Sequence, residues 1–377
     1  MARRSVDAAV LVMLLVGALV WAACGDDGAS GDSRGSDSEV VDVDAAKAAV
    51  ADYSGKPSAF PVDEPLARPP AGSRFAFLQN STPVAALLAS ILQPAAETMG
   101  VQLDVVKGGA TATSQQEAVD SIISSRPRAV LLPAIEPATI NAQLERLEQA
   151  EIPVTSHGIM QAKKFNVDAA IFGTETSELA GKLLADWVIA RDGRRADVAF
   201  YPTPELSFSG YIRTGFEREF EALCAKCEVR YVTVPVATVG STAPTLVVSD
   251  LQAHPDTTTA VFASMEAATG LPAALNSAGI EVATVGWAPP PAILQDIENG
   301  DATAGLGLDL AVMMWTQLDL AARLAAGQPP TEGEAAGIPP IQFLEQKDIT
   351  FDASKGWTGY PDFAERFAKL WNGEARP

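Results

Sequence analysis

Residues 116–140 read QEAVDSIISSRPRAVLLPAIEPATI. The opening half reads as a helix capped at Thr113 or Ser114 and ending near Ser125. The run RAVLLPA (128–134) then turns continuously apolar, with no alternation of polar side chains. A strand that shows no polar face is covered on both sides, as strands of parallel sheets are. Residues 137–150 form the next helix. A helix, a doubly covered strand and another helix make one unit of an α/β fold.

The same rhythm extends in both directions. Upstream, RFAFLQN (74–80) and VQLDVVK (101–107) read as strands. Between them lies a helix capped at Thr82, with Pro83 in its first turn and Gly100 at its end. Downstream the strands are IPVTSH (152–157), AAIFGT (169–174), DVAFYP (197–202), VRYVTVPV (229–236), TAVFASM (259–265), VATVGWA (282–288) and TAGLGLD (303–309). Helical patterns separate them, and IQFLEQKDIT (341–350) reads as a last strand. About ten alternations fit two doubly wound lobes of parallel sheet better than one eight-unit barrel.

The chain begins differently. Arg3 and Arg4 precede an apolar run from Ala8 to Ala23, too short to span a bilayer core, which needs about 20 residues. A basic start and a short apolar stretch describe a secretory signal over residues 1–23. Trp21-Ala22-Ala23-Cys24 resembles the lipobox of bacterial lipoproteins, although Trp stands where Leu is usual. The resemblance implies lipidation of Cys24 and anchoring to the outer face of the cell membrane. Residues 24–73, rich in Gly, Ser, Asp and Pro, are expected to form a flexible tether, with the globular part starting at about Arg74.

A net charge of −20 and the lack of a basic stripe argue against nucleic acid. No phosphate-binding GxxxxGK[ST] or HExxH is present, no GxSxG elbow joins a strand to a helix, and LQNSTP stands where a dinucleotide turn would follow the first strand. Neither an enzyme, a cofactor nor a metal is expected. Besides Cys24, the cysteines are Cys224 and Cys227, with two residues between them. A small structural disulfide, free thiols and a redox pair all remain open. A zinc site would need two more ligands, and the only histidines are His157 and His254.

From Phe75 to about Thr350 the features fall in a familiar order. FAFLQNSTPV, ETMGVQLDVV, the stretch 116–140, AEIPVTSH, FGTETSELAG, LQAHPDTTTAVFAS and VGWAPPPAILQDIENGDATAG follow one another at plausible spacing. Together they resemble the periplasmic sugar-binding proteins of the ribose type, the solute receptors of bacterial ABC importers. The resemblance implies two Rossmann-like lobes joined by three crossings and closing on a small molecule. The lobes are expected at 74–174 with about 306–340, and at 175–305 with about 341–352, followed by an extension at 353–377. A monomer is expected, with an ABC permease and ATPase as partners. A receptor signalling to a membrane sensor and an anchored α/β enzyme are the alternatives.

In open α/β sheets the ligand lies beyond the carboxyl ends of the strands. That rule selects Asn80, Thr82, His157, Phe208, Tyr211, Arg213, Glu266, Trp287 and Asp309 as candidate ligand-binding residues. Asn80 also suits a loop-ordering turn, Arg213 an ion pair with Glu217, and Asp309 a structural place near the hinge. Relative to the sugar receptors, several polar positions carry Ala, Gly, Leu, Met or Trp here. Ligand hydroxyls left unpaired in a dry cleft cost about 1–3 kcal/mol each, so a less polar cyclic ligand is expected.

Overall fold

The computed structural model describes residues 41–373 apart from Ser58, Pro69 and Ala110. The signal segment and Cys24 lie outside the described residues. A short helix, α1 (Val43–Asp52), comes first. The first lobe follows as β1 (Arg74–Asn80), α2 (Pro83–Met99), β2 (Gln102–Gly109), α3 (Ala112–Ser125), β3 (Ala129–Leu132), α4 (Asn141–Gln149), β4 (Val154–His157) and β5 (Ala169–Ile171). The second comprises α5 (Thr174–Asp192), β6 (Asp197–Tyr201), α6 (Ser207–Leu223), β7 (Glu228–Tyr231), α7 (Ala243–Ala253), β8 (Thr259–Phe262), α8 (Leu271–Ala278), β9 (Ala283–Gly286) and α9 (Pro291–Asn299). Then come β10 (Ala304–Leu308), α10 (Leu310–Ala325), α11 (Glu332–Ala336), β11 (Ile341–Glu345) and α12 (Phe363–Trp371).

Both large sheets are parallel, ordered β2-β1-β3-β4-β5 and β7-β6-β8-β9. All four residues of β3, β8 and β9 are buried, which is why their sequences carry no polar face. In each sheet the order reverses beside the first strand, between β1 and β3 and between β6 and β8. Loops diverge at such switch points and leave a crevice at the strand ends. α5 and α6 interlock closely. A Cβ on Gly181 would lie 1.9 Å from the Ile212 carbonyl oxygen, and one on Gly215 would lie 2.0 Å from that of Glu178. Only glycine permits this approach.

After β9 the chain turns back. β10 and β11 pair with each other, antiparallel, in a separate two-stranded ribbon, and α10 packs on β3, β4 and β5 of the first lobe. The last strand is therefore Ile341–Glu345, shorter than 341–350 and in neither parallel sheet. The boundary drawn between 340 and 341 separates two strands that belong together.

The expected tether over 24–73 is corrected for its described part. α1 packs on α5, and Asp42 N donates to the Leu223 carbonyl. Phe60, Val62 and Leu66 are buried. Prolines and charges between these apolar residues suggest a solvated chain, but their side chains join the same buried core as α10 and α12. The α3 cap also moves, to Thr111. Its hydroxyl accepts from Ser114 N while Ser114 Oγ accepts from Thr111 N. Ser114 thus completes a capping box as its third helical residue. The helix expected over 137–150 opens as a single tight turn, Pro137–Ile140, before α4.

The two ends of the described chain strap the hinge. Phe343 N donates to the Tyr53 carbonyl at 2.8 Å, beside the ribbon. Leu66 N donates to the Leu370 carbonyl at 3.0 Å, and Arg323 donates to the Glu64 carbonyl. Phe60 lies edge-on to Tyr360 and Phe367, 5.1 Å between centroids in each case. In α12, Phe363, Phe367 and Trp371 surround Trp315 of α10, and the Trp371 indole donates to Asp319. Arg323, Asp319 and Glu334 form a fully covered ion cluster beneath. Burial and the neighbouring Asp319 push the Glu334 carboxyl up to about 9.

Candidate functional site

A cavity of about 90 Å³ lies where the carboxyl ends of both parallel sheets meet. The first lobe contributes Asn80 at the end of β1 and Thr82 after it, Pro133 and Ala134 after β3, His157 at the end of β4 and Phe172 after β5. From the second come Phe208 in the first turn of α6, Ser264 and Glu266 after β8, and Trp287 and Ala288 after β9. Sites for drug-sized ligands run about 300–1,000 Å³, so a guest of more than a few atoms requires the lobes to part somewhat. A larger recess of about 780 Å³ beside Lys163, Lys164 and Glu175 is open to solvent and lies outside the junction of the sheets.

Three aromatic rings form one wall. The Phe172 centroid lies 5.1 Å from that of Phe208 and 5.2 Å from that of Trp287. Phe172 comes from the first lobe and the other two from the second, so the wall itself crosses the cleft. Ser207 Oγ ties the rim by donating to the Gly158 carbonyl at 3.0 Å. Phe172 and Ala288 both have φ of +53°. Non-glycine residues rarely adopt this left-handed conformation, and backbone strain of this kind collects at ligand sites.

The polar groups differ in how far they are committed. Thr82 gives its backbone N–H and its hydroxyl to Asn80 Oδ1, at 3.1 and 2.8 Å. The Asn80 amide donates to the Ala134 carbonyl at 3.3 Å, and the Thr82 hydroxyl accepts from Ala85 N as the α2 cap. These two residues therefore order the loop, and their side chains meet each other first.

His157 is buried. Its Nδ1 stands 2.8 Å from Gln317 Oε1 of α10. Gln317 Nε2 donates to the Leu132 and Thr155 carbonyls, which turns Oε1 toward the ring. Nδ1 therefore carries the proton and Nε2 is the acceptor. Burial outweighs that hydrogen bond and lowers the ring's pKa to about 4. Glu266 belongs to the second lobe, yet its carboxylate faces the backbone N–H of Val84 at the start of α2. Burial raises its pKa, while the α2 N-terminus favours its charge.

Three of the expected residues lie elsewhere. The cavity meets only the first turn of α6. Arg213 is about 140° round the helix from Phe208. It pairs with Glu217 at 2.8 Å, and its guanidinium lies 3.8 Å above the Tyr231 ring. Tyr211 packs against the hydrophobic core and is not among the cavity's walls. Asp309 is buried at the hinge. Its carboxylate accepts from Val312 N at 3.0 Å as the α10 cap, and from the Thr358 hydroxyl and Gly359 N at 2.8 and 2.9 Å. Burial pushes it up to about 6. It fastens the tail, not a ligand. Cys224 and Cys227 are disulfide-bonded just beyond α6, away from the cleft. Phe172 and Ser264 are walls that sequence reasoning did not single out. Phe172 follows a strand as Trp287 does, so the strand-end rule was the available signal.

The sequence signature of the periplasmic binding protein domain matches residues 79–329. Among solved structures, the chain is similar to GanP, a glucose-galactose binding protein from Geobacillus stearothermophilus. That match has a TM-score of 0.63 at 16% identity, over 74% of this chain and 99% of that one. It is also similar to a carbohydrate transporter protein from Acidothermus cellulolyticus in complex with myo-inositol (TM-score 0.64, 15% identity, 79% and 99%). A third is the periplasmic component of the arabinose ABC transporter from Shewanella (TM-score 0.63, 16% identity, 81% and 99%). A search of curated proteins finds no sequence match.

Proposed function

The chain belongs to the periplasmic binding protein domain family, a family of binding proteins rather than enzymes, and from that premise we propose a solute receptor. It captures a small organic molecule, a sugar or a less polar cyclic compound, by closing its lobes. It hands the guest to the permease and ATPase of an ABC importer, acting as a lipid-anchored monomer outside the cell membrane. The observation that carries this reading is the cavity walled by strand ends of both lobes. A guest there touches both halves at once, and such contacts stabilise the closed arrangement relative to the open one. The similarity to the periplasmic component of the arabinose ABC transporter supports the transport role. No helix among the described residues is long and apolar enough to cross a membrane.

Purified protein tests the proposal. Mass spectrometry of small molecules released on denaturation is expected to yield one, and adding it back to stripped protein is expected to raise the Tm and contract the X-ray scattering profile. A guest that is chemically altered on standing, or a profile that no guest changes, would rule the receptor reading out.

A further inference from the structure

The cleft holds one formal charge and no counter-charge. Among the described residues that wall it, Glu266 is the only ionised side chain, and no Lys or Arg joins it. Arg213, the one cation the sequence offered, is held by Glu217 and Tyr231 outside the cleft. Closure removes Glu266 from water, and a desolvated charge demands a partner of opposite sign. The Val84 N–H alone favours its charge.

The uncommitted groups point the same way. Asn80 and Thr82 satisfy one another. His157, with its proton on Nδ1, offers an acceptor at Nε2. The donors that remain, the Ser264 hydroxyl and the Trp287 indole, are neutral. Beside them stands the wall of Phe172, Phe208 and Trp287. Aromatic faces attract cations within about 6 Å and also receive apolar frames. An anionic guest would meet a carboxylate, a lone pair and the negative faces of three rings.

We propose that the solute is a small organic cation, an amine carried as its ammonium on a compact cyclic frame. The ammonium N–H groups donate to Glu266 and to His157 Nε2, and the frame lies against the three rings. The assignment rests on the reading of the chain as a solute receptor with this cleft as its site.

Isothermal titration of the folded full-length chain tests it with three matched sets. These are cyclohexylammonium and benzylammonium, their neutral partners cyclohexanol and benzyl alcohol, and the acids cyclohexanecarboxylate and benzoate. Ribose and myo-inositol are included. The ammonium compounds are expected to bind roughly 10- to 100-fold tighter than their neutral partners, the range of a hydrogen bond to a charged group. Glu266→Gln is expected to remove that margin, Glu266→Asp to keep part of it, and Arg213→Gln to leave it intact. Circular dichroism melts confirm that each variant is folded. Tighter binding of ribose, inositol or an acid, or ammonium affinity indifferent to Glu266→Gln, overturns the amine assignment. Should ribose or inositol also contract the scattering profile, the receptor reading survives that failure. If no probe binds and protein purified from its source releases no small molecule, both readings fall.

Discussion

At His157 the ring lies between Gln317 and the face of Phe77, whose centroid is 6.4 Å away. Burial keeps the imidazole neutral down to about pH 4, whereas an exposed histidine in the unfolded chain protonates near 6.5. Between those values the unfolded state binds the extra proton, so stability falls as pH falls. Relative to a His157→Gln variant, the wild-type chain is expected to lose about 3 kcal/mol of unfolding free energy between pH 6.5 and 4. Paired urea titrations measure this, and the opposite contribution of Asp309, with its raised pKa, cancels between the two proteins. Parallel profiles would show that the ring is not held neutral. The strand-end rule made His157, Glu266 and Trp287 legible in the sequence, because each stands at the end of a buried strand or within a few residues of it. It misplaced Arg213 and Tyr211, because a rule about strand ends says nothing of how far round the next helix a side chain points. Phe172 escaped because its left-handed backbone, which turns it into the cleft, has no sequence mark such as glycine.

The α5–α6 pair depends on two glycines that face carbonyl oxygens across the contact. Gly181→Ala or Gly215→Ala must push the helices apart and is expected to cost about 3 kcal/mol or more, at the upper end of overpacking penalties. Gly210→Ala serves as the control in the same helix. It meets nothing within 4 Å and is expected to be neutral or to stabilise by up to about 1 kcal/mol. Urea midpoints separate the outcomes, and equal effects at all three positions would deny the close approach. Elements as such were readable where one pattern dominated, as in β3 and β8, whose apolar runs admit no solvent face. They were misread where a short polar segment hid its partners. Phe60, Val62 and Leu66 look isolated among prolines and acids, and only residues distant in sequence, those of α10 and α12 among them, make them part of a core.

Across the whole molecule, hinge geometry comes from segments far apart in sequence. Residues 53–67 and 340–371 fasten to each other and to α10 beside the point where the lobes join. A chain beginning at Arg74, the boundary the composition suggested, is expected to melt well below one beginning at residue 41 and to expose the Phe367 and Trp371 faces to hydrophobic dye. Equal melting temperatures would make the N-terminal segment an ornament. This interlocking also bears on how the protein is made. Phe60 and Leu66 leave the ribosome about 300 residues ahead of Tyr360, Phe367 and the Leu370 carbonyl that receive them. Domains ordinarily settle from the N-terminus onward during synthesis. Here the earlier segment must wait for the later one, so a polypeptide still being threaded through a translocation pore stays incomplete until α12 has emerged.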